Sequence, residues 1–243
     1  MASRPADENF AHPYFPLDLH LPHYRENTLP FHVVVAVVVV SFAVAFLATW
    51  MLVRRDRFGR VLRFEEKAIL CWFGMSGCIH VILEGYLTLT SGTIAGSNTI
   101  LAQIWKEYAK GDSRYVSNDT CTIVMETITA WLEGPGCFLI VWAFITRHPM
   151  RHVMQLAVSI GQTYGVLIYF ITEYYEDFSH GPLWHPIYFW LYVIGFNAPW
   201  AIIPPLLIRQ SWRELCQAQR ALDKVNGYMP PSDGRGASSK KKK

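Results

Sequence analysis

Residues 33–53 read VVVAVVVVSFAVAFLATWMLV and include no charged side chain. Twenty-one residues in an α-helix extend about 31 Å, which matches the hydrocarbon thickness of a lipid bilayer. The many β-branched residues do not argue against a helix, because a chain in lipid must satisfy its backbone hydrogen bonds internally. The stretch therefore predicts a membrane-spanning helix.

Four further segments are apolar enough and long enough to cross a bilayer, each with a few polar residues. They are residues 68–90, 121–146, 153–172 and 186–208. The mean hydropathy of +0.17 is high for a soluble protein and fits membrane helices with polar ends. We predict an all-α, polytopic membrane protein with five transmembrane helices. Its membrane domain would cover residues 33–209, between an N-terminal segment (1–32) and a basic tail (210–243).

Charge placement predicts the orientation. Residues 54–63 hold five Arg and one Asp, and the chain after residue 208 holds nine Lys and Arg. Residues 173–184 hold three acids and no Lys or Arg. The positive-inside rule then puts the C-terminus in the cytosol and the N-terminus in the lumen. The chain ends in SSKKKK, which is either a solvated basic end near anionic lipid or a dilysine retrieval signal of the endoplasmic reticulum.

Several chemistries are excluded by missing motifs. The five cysteines form no CxxC, and the sequence has no HExxH, no glycine-rich phosphate loop and no GxSxG. We expect no metal and no redox cofactor. The polar residues inside the apolar segments, one imidazole with carboxyls, an amide and aromatics, are instead suited to proton transfer.

His80 and Glu84 interrupt the second apolar segment within CIHVILEG (78–85). They are four residues apart and share one helix face. Ionisable groups at membrane depth are costly and usually functional. A mutually satisfied pair that only fixes helix packing is the alternative.

Glu126 lies near the start of the third apolar segment, with Thr129 on the same face. We predict it as a site residue. Glu133 lies seven residues later, just before Gly134-Pro135-Gly136, where the helix should kink. It is either a second buried acid or a residue that reaches a wet cavity at the kink, and we assign it no role.

Two other segments carry polar candidates. Asn197 and Trp200 are three apart in the last segment, and Trp200 lies deep enough to form a pocket wall. Gln162 is predicted to hold helices together. Residues 104–115, IWKEYAKGDSRY, are unusually aromatic for an exposed loop and could fold back as a lid.

Seven stretches together resemble the emopamil-binding protein family, the EXPERA group. They are HPYFP (12–16), CWFGMSGCIHVILEG (71–85), IWKEYAKGDSRY (104–115), METITA (125–130), GQTYGVLIYFITE (161–173), HPIYFWLY (185–192) and FNAPW (196–200). The resemblance implies five membrane helices that enclose an intramembrane sterol cavity. It implies catalytic roles for His80, Glu84, Glu126, Asn197 and Trp200, and substrate contacts for Thr129, Trp105, Tyr108, Tyr115 and Met125.

The activity that the resemblance implies is a sterol isomerase of cholesterol biosynthesis in the endoplasmic reticulum. It moves a ring double bond from C8(9) to C7(8) by protonation and deprotonation through a carbocation, without a cofactor. Trp200 would face the cation, Glu84 and Glu126 would supply charge, His80 would relay the proton and Asn197 would orient a carboxylate. Lipophilic cationic amines would bind by mimicking the cation.

One alternative stays open. The family includes a paralogue, emopamil-binding protein-like, which keeps the same polar residues but is not regarded as an isomerase. KEYAKGDSRY (106–115) resembles the isomerase version, whereas LLIRQSWREL (206–215) is closer to the paralogue. A proton-coupled carrier is disfavoured, because the chain lacks internal repeats. We expect a Δ8-sterol, lipophilic amines and membrane lipid as partners and no nucleic acid; a homodimer and contacts with other sterol-biosynthesis enzymes stay open.

Overall fold

A computed structural model describes residues 11–21 and 23–228. Five helices in it are long and apolar enough to span a membrane, which confirms the predicted all-α polytopic architecture. Their labels and bounds, with two short helices between the second and third, are α1 (Phe31–Leu52), α2 (Phe64–Thr90), α3 (Ile100–Tyr108), α4 (Arg114–Ser117), α5 (Thr120–Ile145), α6 (Arg151–Tyr175) and α7 (Pro186–Val225).

The predicted domain limits fall partly outside the described residues. Residues 1–10 and 229–243, which include the SSKKKK end, are not among the described residues. At residue 209, the predicted C-terminal limit of the membrane domain, α7 continues without a break to Val225. The division of the chain at 32 and 209 stays a prediction.

Helix α1 packs on the outside of the bundle. Val34 is its single buried residue, and most of its other side chains are exposed. In lipid such exposure costs nothing, because the surrounding acyl chains are as apolar as valine. One face of α1 points toward the interior, where Val38 and Phe42 line a cavity.

Three of the spanning helices widen locally into π-helix. The widened segments are Ile79–Glu84 in α2, Thr129–Glu133 in α5 and Pro186–Gly195 in α7. In α5 the π segment ends directly before Gly134-Pro135. Pro135 has no N–H to donate to the preceding turn, so the predicted irregularity takes the form of a wider turn here. Gly134 lets α5 approach α2, because a Cβ there would meet Val81 Cγ2 at 2.7 Å.

Ion pairs stabilise the end of the bundle that carries the arginine-rich connection between α1 and α2, residues 54–63. Arg147, at the end of α5, donates from Nε to Asp56 Oδ2 at 2.8 Å. Arg60 donates to the Glu66 carboxylate at 2.6 Å. The first bond ties the turn between α1 and α2 to the end of α5, and the second ties that turn to the start of α2.

The opposite end is closed by α3, α4 and the N-terminal segment. Tyr14, buried, donates from its hydroxyl to the Lys106 carbonyl at 3.2 Å, and Asn27 donates to the Gln103 carbonyl at 2.9 Å. Ser113 Oγ also donates to the Phe15 carbonyl. Residues 104–115 thus comprise the end of α3, a turn and the start of α4, and they cover this end of the bundle.

Candidate functional site

A cavity of about 340 Å³ lies inside the bundle, bordered by all five spanning helices and by α3 and α4. Its volume is within the range of roughly 300–1,000 Å³ that is typical of small-molecule pockets. Apolar and aromatic side chains make up most of its wall. All ten residues implied by the resemblance line it: His80, Glu84, Trp105, Tyr108, Tyr115, Met125, Glu126, Thr129, Asn197 and Trp200.

His80 and Glu84 form a close pair on the π segment of α2. His80 Nδ1 lies 2.8 Å from both carboxylate oxygens of Glu84. His80 is 2% exposed and Glu84 is 9% exposed, so water hardly weakens this contact. The predicted pairing is confirmed. Both groups also face the cavity, which a purely structural pair would not require.

Thr129 joins the carboxyl groups of two helices. Its Oγ1 lies 2.5 Å from Glu84 Oε2, 3.0 Å from the Glu126 carbonyl oxygen and 3.3 Å from Glu126 Oε2. A hydroxyl has one hydrogen, so it can donate to one of the two carboxyls at a time. Carboxyl groups this close in a water-poor site favour a state with one proton held between them. Such an arrangement can give up one proton and take one.

Tyr115, on α4, completes the surroundings of Glu126. Its hydroxyl donates to Glu126 Oε1 at 2.9 Å. Burial, and then the negative charge of Glu126, raise the pKa of Tyr115 well above its ordinary value, so the phenol stays protonated and remains a donor. Trp105 stacks on the Tyr115 ring with 4.9 Å between centroids. Met125 packs beside this aromatic group from α5.

Asn197 has partners that differ from the predicted ones. Its Nδ2 donates to the Tyr108 hydroxyl at 3.0 Å and to the Val193 carbonyl at 2.8 Å. Among the described residues Asn197 makes no hydrogen bond to a carboxylate, and its role in orienting one stays a prediction. Tyr108 in turn lies 3.5 Å from the Tyr169 hydroxyl.

Trp200, on α7, packs beside His80. Its ring is 6.2 Å from the imidazole in an edge-on arrangement and 5.2 Å from Trp72. Trp200 borders the cavity, in agreement with its predicted depth in the segment. An indole at this position offers a π face to a positive charge that forms near the two carboxyls.

Gln162, which the sequence analysis predicts to hold helices together, contacts a predicted site residue on another helix. Its Nε2 donates to His80 Nε2 at 3.1 Å, and the side chain borders the cavity. Glu133 borders the cavity as well and is 7% exposed. An amide in an apolar helix was a usable signal for Gln162. Its imidazole partner on a distant segment was not visible in the spacing of the chain.

A second polar cluster lies beyond the cavity, under α4. Arg114 donates to Asp112 Oδ2 at 2.7 Å and pairs with Glu173 Oε1 at 2.9 Å, while His180 Nδ1 lies 2.9 Å from Glu173. Burial opposes the charge of Arg114, but the Asp112 and Glu173 carboxylates outweigh it and raise its pKa. Asp112, Glu173 and His180 are close enough together for a metal ion. Since Arg114 already supplies the positive charge, we interpret the cluster as an ion-pair network.

The sequence model of the EXPERA (EXPanded EBP superfamily) family matches residues 100–211. A guinea pig (Cavia porcellus) protein named 3-beta-hydroxysteroid-Delta(8),Delta(7)-isomerase is 41% identical over 212 residues, covering 87% of this chain and 92% of that protein. A rice protein with the same name, qualified as probable, is 37% identical over 209 residues, covering 85% and 93%. An Ailanthus altissima protein named isomeliandiol synthase ISM1 is 35% identical over 151 residues, covering 62% and 71%. The chain belongs to the EXPERA family.

Proposed function

We propose that this protein is a membrane-embedded 3β-hydroxysterol isomerase that moves the ring double bond from C8=C9 to C7=C8. The observation that carries the proposal is the Thr129 hydroxyl, which joins Glu84 and Glu126 at the wall of an apolar cavity. The names of the relatives support it. The reaction is neither oxidative nor hydrolytic, so it needs proton donors and acceptors but no cofactor.

The first chemical step is protonation of an alkene, which is a very weak base. The C8=C9 π electrons take a proton at C9, and a tertiary cation remains at C8. A protonated carboxyl of the Glu84–Glu126 pair is the proposed donor, with His80 to replace its proton. A water-poor site disfavours the charged form of a carboxyl, so one of the pair can stay protonated and available to the alkene.

The second requirement is to hold the cation without letting water add to it. Trp200 presents its π face, worth about 2 kcal/mol or more at a desolvated site. The charged carboxylate that remains in the pair supplies the larger attraction, since preorganised charge in a dry site is usually the largest catalytic term. Trp105 and Tyr115 wall off the cavity on the side of α3 and α4.

The last step removes a proton from C7. The C7–H bond electrons form the new C7=C8 double bond, and the proton passes to the charged carboxylate. Thr129 can donate to either carboxyl, so it supports whichever of the two carries the charge at each stage. Tyr115 keeps a hydrogen bond on Glu126 throughout. The proton count is unchanged over a turnover.

The Glu126→Gln variant is expected to lose binding of lipophilic cationic amines by about 10–100-fold, because a protonated amine in an apolar tail imitates the cation. Competition of a radiolabelled amine with sterol in membranes measures this. Glu65→Gln, at an exposed position in the first turn of α2, is the matched control and should bind as the wild type does. Unchanged amine affinity in Glu126→Gln would remove the counter-ion role.

Expression in a yeast strain that lacks the Δ8-Δ7 isomerase tests the function itself. Restored Δ7-sterols are the expected result. Continued accumulation of Δ8-sterols, with the protein folded and present in membranes, would leave the binding-only alternative, in which the chain holds sterols and amines without catalysis. Amine binding to the same membranes shows that the protein is folded.

The proposed location is the membrane of the endoplasmic reticulum, with the N-terminus in the lumen and the C-terminus in the cytosol. The charge distribution supports it, since Arg54 and Arg151 lie at the end assigned to the cytosol. Acceptor sites for N-glycosylation placed near either terminus report the orientation. Modification is expected at the N-terminus, and modification at the C-terminus instead would reverse the proposal.

A further inference from the structure

Unsatisfied polar atoms are concentrated in one part of the bundle. Within residues 11–21 and 23–228, ten buried side-chain N or O atoms have no hydrogen-bond partner, and nine of these belong to α2, α5, α6 and α7. A buried polar atom without a partner costs about 1–3 kcal/mol, so such atoms call for an explanation. Buried water that bridges polar groups is the usual one.

Four of the nine atoms follow one face of α6. They belong to His152, Gln155, Ser159 and Gln162, which are spaced three or four residues apart. The Cβ atoms of residues at this spacing lie about 5–6 Å apart. One water can therefore bridge the polar atoms of successive side chains. Gln155 and Ser159 are completely buried. The row therefore forms a polar line inside an otherwise apolar part of the bundle.

The line ends on His80. Gln162 donates to His80 Nε2, and Ser76, with an unpartnered Oγ, lies one turn before His80 on α2. Glu133 Oε2 is also unpartnered, and its carboxylate lies against Gly161, where a Cβ would overlap it. At its other end the line reaches His152, beside the arginine-rich end of the bundle.

The opposite side of His80 is different. None of the polar atoms of Glu84, Glu126, Thr129 and Tyr115 is among the buried atoms without a partner. His80 thus separates a fully bonded carboxyl cluster from an unsatisfied polar line. An imidazole between two such regions can take a proton at one nitrogen and release one at the other.

Gln162 suits a histidine whose charge changes. Its amide NH₂ donates to a neutral imidazole nitrogen, and after a rotation its Oε1 accepts from a protonated one. Gln162 Oε1 has no partner in the present orientation and is free to take that role. A side chain with only donors or only acceptors would oppose one of the two states.

We propose that the polar face of α6, from His152 through Gln155 and Ser159 to Gln162, with Ser76 and Glu133 beside it, is a water-filled path that carries protons between the cytosolic end of the bundle and His80. The proposal rests on the isomerase function. The path changes no net charge: it delivers the proton that adds at C9 and takes away the one released from C7. Its residues are positioning residues for water, not groups that touch the sterol.

Water in the path is tested without turnover, by brief X-ray irradiation that generates hydroxyl radicals from water bound inside the protein. Cys137 is the reporter, since it is completely buried and its Sγ lies 3.9 Å from Gln162 Nε2. Cys71 is the control, equally buried in the same apolar cluster. Oxidation of Cys137 without oxidation of Cys71 is expected. Equal protection of both thiols would mean a dry path and would overturn the proposal.

Proton transfer is tested with the double variant Gln155→Leu/Ser159→Ala. Its kcat is expected to fall about tenfold, with KM and amine affinity unchanged. In D₂O the fraction of product that carries solvent deuterium at C9 should fall too, because protons then recycle inside the site. A purely structural defect would not move that fraction. Thr163→Val is the matched control, since its hydroxyl donates to the Ser159 carbonyl of its own helix.

Wild-type kcat and deuterium content in the double variant would overturn the path even where Cys137 is oxidised. Ser76→Ala, which removes a hydroxyl and little volume, gives the same test where the double variant does not fold. A wild-type chain that fails to isomerise refutes the proposed function instead. The comparison of Cys137 with Cys71 then still decides whether water occupies the path.

Discussion

The Glu84→Gln variant is expected to lose nearly all isomerase activity, with kcat lower by about 10³-fold. The amide cannot give up a proton to C9, and it cannot hold the negative charge that attracts the cation. It also turns the contacts with His80 and Thr129 from charged to neutral hydrogen bonds, which are weaker. Conversion of a Δ8-sterol by isolated membranes, followed by chromatography, measures the loss.

The matched comparison is Glu133→Gln, which neutralises another cavity-lining acid that has no bond to Thr129. Its loss of activity should be much smaller than that of Glu84→Gln. Amine binding to Glu84→Gln, weakened but measurable, shows that this variant is folded. Glu84→Gln with kcat within about tenfold of the wild type would exclude Glu84 as donor and as principal countercharge.

The Arg114→Gln variant is expected to lose about 3–5 kcal/mol of stability, because removing one partner of a buried ion pair strands the other charge. Asp112 and Glu173 would both lose the guanidinium, Glu173 would keep only His180, and the Arg114 side chain is 3% exposed. The Tyr169 ring would also lose the guanidinium, which lies 4.9 Å from its centroid. Thermal unfolding in detergent and abundance in membranes are the measurements.

Arg63→Gln serves as the control for this loss. Its side chain is 72% exposed, and its nearest carboxylate oxygen is 3.8 Å away. Exposed pairs contribute about 0–1 kcal/mol, so its unfolding temperature should hardly change. A similar small change in Arg114→Gln would show that the network under α4 is not what holds that end of the bundle together.

The fold was largely predictable, for a physical reason. A helix in lipid must be long, apolar and internally hydrogen-bonded. Residues 33–53 have the required length and apolar composition, and lipid then requires the backbone to bond to itself. The His80–Glu84 pair was predictable too, because both residues belong to one helix. The enclosure of the cavity by α3 and α4 was only suggested, through the aromatic content of residues 104–115.

The remaining features depend on how the helices rotate against one another. The Thr129 hydroxyl between Glu84 and Glu126 requires α2 and α5 to meet at one height, which spacing along the chain does not encode. The same holds for Gln162 on His80. Asn197 shows the limit best: its residue type was rightly associated with the cavity, but its partner, Tyr108, belongs to a segment 89 positions away.

The π segments of α2 and α5 bear on how this site tolerates change in length. A π turn holds one residue more than the α-helical turn that it replaces. Deleting a single residue from Ile79–Glu84 would restore the regular turn and leave the rest of the helix at nearly the same rotation, whereas a deletion from a regular α turn swings the rest by about 100° around the axis. Among natural relatives, single-residue gaps within α2 and α5 should therefore fall inside the π segments rather than in the regular turns beside them.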